Sequence, residues 1–199
     1  MTSFAVTWDY RCPFARNAHE HVVVGLAGGA DWDVTFVPFS LGQVHVAEGE
    51  PPIWDRPDDD SGLLALQVGT ATRDIAPERF PAVHRDIFAI RHDHGAKLRD
   101  RDQLRAVLDR HEIDADAVFA RVDGGDALEV VRAEHDTAAS DHNVWGVPTF
   151  VSGGRAVFVR LMERPHGNGA SAVRTVERVL DLLDGFPDLN EFKHTSIPR

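Results

Sequence analysis

The sequence has only one cysteine, Cys12, among its 199 residues. A lone cysteine cannot form a disulfide within the chain, which fits a reducing compartment and leaves any redox chemistry dependent on a second thiol from outside. The first residues lack a basic segment followed by an apolar one, and no run approaches the ~20 apolar residues of a membrane span. We therefore expect a cytoplasmic protein that does not bind membranes.

Positive charge is also scarce. The chain has 21 Lys and Arg against 32 Asp and Glu, which gives a formal net charge of -11 at pH 7. This balance favours solubility and argues against nucleic acid as a partner. With 43% hydrophobic and 27% charged residues, the composition is that of an ordinary globular protein, long enough for one buried core with or without an inserted subdomain.

The sequence also lacks a dense set of metal ligands. Among its 11 histidines, neither the pair His92 and His94 nor the pair His135 and His142 matches a ligand pattern, and only one thiol is available. No phosphate-binding glycine loop, Ser-His-Asp signature or nucleotide-binding fingerprint is visible. We predict no metal site and no tightly bound cofactor.

Residues 3–41 have the pattern of a strand, a helix and a second strand. Residues 3–8 (SFAVTW) are rich in β-forming residues, and apolar positions recur at helical spacing from Phe14 to Leu26. Residues 34–41 (VTFVPFSL) are typical of a buried strand. This order predicts a βαβ unit whose two strands lie parallel.

The remainder of the chain changes from helical to strand patterns. Residues 44–60 are rich in turn formers and predict a connecting loop, and residues 61–140 are helical throughout. Residues 148–161 form two β-rich runs around Gly153-Gly154, which predicts a hairpin, and residues 170–185 predict a final amphipathic helix.

The complete order is therefore βαβ, a helical block, then ββα. Without the helical block, this is a minimal thioredoxin-like core, so we predict an α/β protein with a thioredoxin-like fold. Residues 1–57 and 141–199 are expected to form the thioredoxin-like domain, and residues 58–140 an inserted helical subdomain.

Cys12 stands at the junction of the first strand and helix, with Pro13 at the position best suited to begin the helix. Backbone N–H groups and the helix dipole at such a site favour a thiolate. Arg11, Arg16 and His19 are close by and of the right charge, so they are candidates to stabilise the thiolate. The alternative is that Cys12 is a small buried hydrophobic residue.

Three features together resemble the DsbA-like branch of the thioredoxin superfamily. They are the Cys12-Pro13-Phe14-Ala15 motif after the first strand, the helical insertion, and residues 145–150 (WGVPTF) at the third strand. The branch includes DsbA-family oxidoreductases, actinobacterial thiol-dependent nitroreductases, and the 2-hydroxychromene-2-carboxylate isomerases related to kappa-class glutathione transferases. The resemblance spans nearly the whole chain.

The resemblance implies further site residues. Pro148 is expected to be cis and to turn the backbone of Val147 towards the cysteine, where its polar groups can meet an extended substrate. In glutathione-binding relatives, the segment before the last helix meets the carboxylates of the thiol, so Arg160, Arg164 and Asn168 are candidates to anchor such a molecule. A solvated loop is the alternative for these three residues.

The sequence departs from the family pattern at Ala15, where family oxidoreductases commonly carry a second cysteine. A cycle between two thiols of the same motif is therefore excluded. The remaining route is attack by Cys12 on a disulfide or an electrophile, followed by release with an external low-molecular-weight thiol such as mycothiol or glutathione. The partners are thus small molecules, and a homodimer is possible.

Two other functions remain open. Isomerase and kappa-transferase relatives usually carry serine where this chain has Cys12, and they use a bound glutathione thiol, so a transferase or isomerase is one alternative. A thioredoxin-fold binding or redox-sensing protein without turnover is the other. The aromatic residues Trp8, Tyr10, Phe14 and Trp54 are either a wall for an aromatic substrate or part of the core.

Overall fold

A four-stranded sheet brings together the two ends of the chain in the computed structural model, which describes residues 1–197. The strands are β1 (Thr2–Trp8), β2 (Trp32–Pro38), β3 (Thr149–Ser152) and β4 (Arg155–Phe158). Their order across the sheet is β2-β1-β3-β4. β1 runs parallel to β2, and β3 runs antiparallel to both β1 and β4. The predicted parallel pair and the hairpin are therefore confirmed.

The helices account for the rest of the regular structure. They are α1 (Pro13–Ala27), α2 (Leu41–Val44), α3 (Leu63–Ile75), α4 (Phe80–His92), α5 (Arg101–Arg110), α6 (Ala115–Asp123), α7 (Asp126–His142) and α8 (Gly169–Gly185), with two short 3-10 helices at Ile53–Asp55 and Pro57–Asp59. Within residues 1–197, no strand lies between β2 and β3. The mixed α/β class and the thioredoxin-like fold are thus as predicted.

The second strand ends earlier than the sequence pattern suggests. We expect a strand over residues 34–41, whereas β2 ends at Pro38 and α2 begins at Leu41. The reason is local, because the Ser40 hydroxyl accepts a hydrogen bond from the Gln43 N–H (3.2 Å) and caps the short helix. The chain therefore turns out of the sheet close to the end of β1.

A chain of buried hydrogen bonds connects the sheet to the inserted helices. Tyr10 Oη donates to His84 Nδ1 (2.8 Å), and His84 Nε2 donates to His19 Nδ1 (2.9 Å). His19 Nε2 donates to the carbonyl of Thr7 (3.0 Å). Because a carbonyl can only accept, this bond fixes the donor and acceptor of all three hydrogen bonds. All three side chains are fully buried. The bonds link β1, α1 and α4 without any net charge.

Burial determines the protonation of this hydrogen-bonded chain. It lowers the pKa of His19 to about 4 and the pKa of His84 well below its usual value. Burial also raises the pKa of Tyr10 well above its usual value. Because burial lowers both imidazole pKa values, both histidines are neutral at pH 7.

The Tyr10 ring fits against α3 because residue 69 is glycine. A side chain on Gly69 would place its first carbon 2.3 Å from Tyr10 Oη.

We predict that the free energy of unfolding falls as the pH drops from 6.5 towards 4. Unfolded histidines take up protons in this range while buried His19 does not, so the stabilisation present above pH 6.5 is lost. His19 alone contributes ~3 kcal/mol of this loss. Urea denaturation at several pH values measures it. His19→Gln, whose amide can still donate and accept, should flatten the slope, and exposed His94→Gln should not. An unchanged slope in His19→Gln contradicts the prediction.

Candidate active site

The cysteine sulfur lies between the start of α1 and the loop that enters β3. Cys12 is the N-cap of α1, and its Sγ accepts a hydrogen bond from the Ala15 N–H (3.4 Å). The thiol itself donates to the carbonyl oxygen of Val147 (3.2 Å). Cys12 is 8% exposed. Residues that are 135 positions apart in the sequence thus meet at one sulfur atom.

The loop opposite the sulfur is held by hydrogen bonds on both sides of Pro148. The Val147–Pro148 peptide bond is cis. The Thr149 N–H donates to Thr7 Oγ1 (2.9 Å), and Thr149 Oγ1 donates to the carbonyl of Gly146 (2.8 Å). These bonds fasten the loop to the end of β1, so the carbonyl of Val147 has a fixed position at the thiol.

The pKa of the Cys12 thiol is raised, and burial is the largest cause. The N–H groups of Ala15 and Phe14 lower it, as expected for a helix N-terminus, and the negative charge of Asp9 raises it further. The expectation that the helix N-terminus gives Cys12 a low pKa is therefore wrong in its net direction. Cys12 is predominantly a thiol at neutral pH.

The three residues expected to stabilise a thiolate have other partners. The Arg11 guanidinium binds Asp9 (2.8 Å) and lies 3.2 Å from Asp60. Arg16 forms an ion pair with Asp93, the residue directly after α4. His19 belongs to the buried hydrogen-bonded chain and is neutral at pH 7. The expectation for His19 is wrong, because an uncharged imidazole supplies no positive charge.

Asp9 is a site residue that the sequence analysis missed. Its carboxylate is 1% exposed and accepts hydrogen bonds from the backbone N–H groups of Arg11 (2.9 Å) and Leu41 (2.8 Å). Asp60 continues the cluster by accepting from the N–H groups of Gly62 (2.6 Å) and Leu63 (3.1 Å). The sequence feature that could have identified Asp9 is its position, directly after a strand and three residues before the cysteine.

The remaining predicted residues divide into two groups. Arg160 lies over the ring of Phe14, with 5.6 Å between the guanidinium carbon and the ring centre, so it reaches the cysteine motif. Arg164 is instead paired with Glu20 of α1 (3.3 Å). Asn168 is the N-cap of α8 and accepts from a backbone N–H there. The structure brings Arg160 to the cysteine motif and gives the other two structural partners.

Ala15 is fully buried on α1, and exposed Pro13 occupies the first turn beside it. No other cysteine stands anywhere in the chain. The motif therefore holds a methyl group where a second thiol would be needed to release an adduct from Cys12.

The aromatic surface beside the site differs from the one expected. Trp8 and Tyr10 are fully buried and belong to the core, and Trp54 is nearly so. Trp145 is 63% exposed and packs against Phe158, with ring centres 4.5 Å apart. It stands two residues before Val147, whose carbonyl accepts from Cys12. The WGVPTF segment contained this tryptophan, but sequence alone did not predict its exposure.

Residues 1–197 contain neither a candidate metal cluster nor a candidate membrane-spanning helix. No group of three or more His, Cys, Asp or Glu side chains in this part of the chain could hold a metal ion. None of the described helices combines the length and apolarity needed to cross a membrane.

Several solved structures are similar to this chain. No curated protein matches its sequence. A 2-hydroxychromene-2-carboxylate isomerase structure has a TM-score of 0.65 at 14% identity, covering 96% of this chain and 100% of the isomerase. The cytosolic disulfide reductase DsbM from Pseudomonas aeruginosa with GSH gives 0.62 at 14%, covering 90% and 100%. Pseudomonas aeruginosa DsbA gives 0.55 at 19%, covering 89% and 84%.

Each of these likenesses covers 89% or more of this chain. At such low identity they show a shared fold. The model of the DSBA-like thioredoxin domain matches residues 6–180, which include Cys12, the whole insertion and the loop of Pro148. The chain therefore belongs to the DSBA-like thioredoxin domain family.

Proposed function

We propose that the protein is a thiol-dependent reductase in which Cys12 is the only protein nucleophile and an external low-molecular-weight thiol completes the cycle. The observation that carries this proposal is the pairing of Cys12 with the Val147 carbonyl beside a fully buried Ala15. The sulfur lies between the N-terminus of α1 and the loop that enters β3, and Cys12 keeps 8% of its surface exposed for the approach of a small disulfide. A reducing compartment, for which we propose the cytoplasm, supplies the second thiol.

The first step is attack on a substrate disulfide. The Cys12 thiol loses its proton to water, and the hydrogen bond to Val147 is lost with it, while the N–H groups of Ala15 and Phe14 stabilise the thiolate. The thiolate sulfur forms a bond to one sulfur of the substrate, and the substrate S–S bond breaks. One substrate half leaves as a thiolate, and the other half is held as a mixed disulfide on Cys12.

The second step uses the external thiol, glutathione or mycothiol. Its thiolate attacks the substrate sulfur of the mixed disulfide, which releases Cys12 as a thiolate that then regains a proton. The net reaction converts one thiol and one disulfide into a new mixed disulfide and a new thiol, with no net change in electrons. Arg160 is the residue of the predicted anchoring set that reaches the motif to meet the carboxylate of that thiol.

The raised pKa of Cys12 favours a reductase over a strong oxidant. A thiolate of high pKa is a better nucleophile once formed and a poorer leaving group, so the mixed disulfide on Cys12 should persist. Strongly oxidising members of such folds depend on a stabilised thiolate, which requires a low pKa. The similar structure of DsbM, a cytosolic disulfide reductase with GSH, is in line with this direction.

A second candidate function is an isomerase or transferase that uses a bound thiol. The supporting observation is that Cys12 is protonated and donates a hydrogen bond, as a serine hydroxyl would at the same position. In that reaction Cys12 orients the thiol of the cofactor and forms no covalent bond. The likeness to the isomerase over its whole chain makes this the alternative to test.

We predict that glutathione disulfide forms a mixed disulfide on Cys12 that mass spectrometry detects and that reduced glutathione removes. Ala15→Cys should abolish its accumulation, because the new thiolate attacks the Cys12 sulfur of the mixed disulfide, breaks its bond to glutathione and forms an internal disulfide. Ala18→Cys is the control, since Ala18 is also fully buried on α1 but lies one turn further on. Cys12→Ser should form no adduct. A Cys12→Ser variant with full isomerase or transferase activity contradicts the reductase proposal.

We predict that the rate of Cys12 alkylation by iodoacetamide rises with pH to a midpoint above the ordinary cysteine pKa, because burial raises the pKa of this thiol. Asp9→Asn should lower the midpoint and increase the rate at pH 7, since the charge of Asp9 raises the pKa. Asp33→Asn, at the other end of the β1–β2 pair, should change neither. A midpoint at or below the ordinary value contradicts the assignment.

We predict that Trp145→Ala slows the reaction of Cys12 with 4,4′-dithiodipyridine about fivefold, because exposed indole offers a stacking surface worth ~1 kcal/mol to a flat ring. The rate with 2-hydroxyethyl disulfide, which has no ring, should stay unchanged. Phe192→Ala removes another exposed aromatic side chain, from the C-terminal segment, and should alter neither rate. Equal slowing with both disulfides would argue against a stacking role.

A further inference from the structure

A cavity of about 390 Å³ has a lining dominated by positive charge. It is lined by Arg11, Ser61, Arg91, Lys97, Leu98 and Arg99. Four of these six residues are cationic, and none is a carboxylate. Such a concentration is unexpected in a chain with a net charge of -11.

Three of the four cations have no carboxylate partner within residues 1–197. Arg11 and many other arginines form ion pairs with carboxylates, whereas Arg91, Lys97 and Arg99 form none within the described chain. All three are exposed to solvent. Like charges around one cavity repel each other, and a bound anion removes that repulsion. The arrangement is therefore typical of an anion site rather than of a structural ion network.

The cavity adjoins the cysteine turn on the side of the inserted helices. Arg11 directly precedes Cys12, so their Cα atoms are about 3.8 Å apart. The Arg11 side chain passes over the start of α3, where a side chain on Gly62 would place its first carbon 2.8 Å from it. His92 Nε2 donates to the carbonyl of Tyr10 (2.9 Å), which fastens the end of α4 to the same turn. Arg91 is thereby held beside the turn.

We propose that this cavity binds an anionic group, a carboxylate or phosphate, of the small molecule that reacts at Cys12. Arginine side chains provide paired N–H donors for such groups, and lysine adds a compact point charge. Ser61 contributes a hydroxyl, and buried Leu98 gives the cavity an apolar floor. The volume suits part of a small molecule. The assignment of the anion to a reacting molecule rests on the proposed function, whereas the anion site itself does not.

The test measures binding of tricarballylate, a tricarboxylate without a thiol, by isothermal titration calorimetry at low ionic strength. The wild-type protein should bind one equivalent saturably, and Arg91→Gln/Lys97→Gln should bind at least tenfold more weakly. The control Arg85→Gln/Arg174→Gln removes two charges from exposed positions on α4 and α8 and should bind as the wild type does. Equal weakening in both variants, or no saturable binding to the wild type, overturns the proposal.

Cys12→Ser separates this inference from the proposed function. The variant should bind tricarballylate with wild-type affinity, so a protein that binds the anion but forms no adduct on Cys12 retains the site and loses only the reductase proposal. Loss of binding in Cys12→Ser would contradict a site built from the four cations.

The source of the anion follows from rates of adduct formation on Cys12. Glutathione disulfide carries carboxylates, and 2-hydroxyethyl disulfide carries none. If Arg91→Gln/Lys97→Gln slows only the reaction with glutathione disulfide, the site holds the thiol co-substrate. If both rates stay unchanged while tricarballylate binding is lost, the site holds the other substrate. If both reactions slow equally, the cations act on Cys12 itself and the proposal is overturned.

Discussion

The ion cluster of Asp9, Arg11 and Asp60 is the interaction on which the arrangement of the site depends. Both carboxylates are almost completely buried, and a buried charge is tolerated only when it is paired and hydrogen-bonded. Arg11 supplies the pairing, and backbone N–H groups of Leu41 and Gly62 supply further bonds. The cluster thereby joins three segments directly beside Cys12. One follows β1, one follows β2, and one leads into the inserted helices.

The same cluster affects the chemistry of the sulfur. Because Arg11 is neutralised by two carboxylates, its charge does not offset burial, and Asp9 adds to the rise in the Cys12 pKa. The helix N-terminus acts in the opposite direction through two N–H groups but is the weaker influence. A helix N-terminal cysteine is therefore not sufficient for a thiolate. What this motif offers instead is a protected thiol that becomes a strong nucleophile on losing its proton.

The sequence predicted those parts of the fold that depend on local patterns. Period-two and helical spacing identified the βαβ unit and the helical insertion, since burial of one face imposes those periods. The charge state of His19 could not be predicted, because it depends on His84, 65 positions away, and on complete burial. For the same reason, the pairing of Arg16 with Asp93, 77 positions further on, and that of Arg11 with Asp60 could not be predicted. Long-range pairing is not encoded in spacing.

The inserted helices therefore contribute side chains to the site. The sheet core supplies the reactive sulfur, the carbonyl of Val147 and the exposed ring of Trp145, all at the ends of β1 and β3. The insertion supplies Asp60, the neutral His84 and the unpaired cations around the cavity next to Arg11. Under the proposed function, bond-making chemistry would therefore belong to the core, and charge recognition would belong to the inserted helices. On that proposal, a core with a single cysteine would select its substrate through the inserted helices and would need no second thiol of its own.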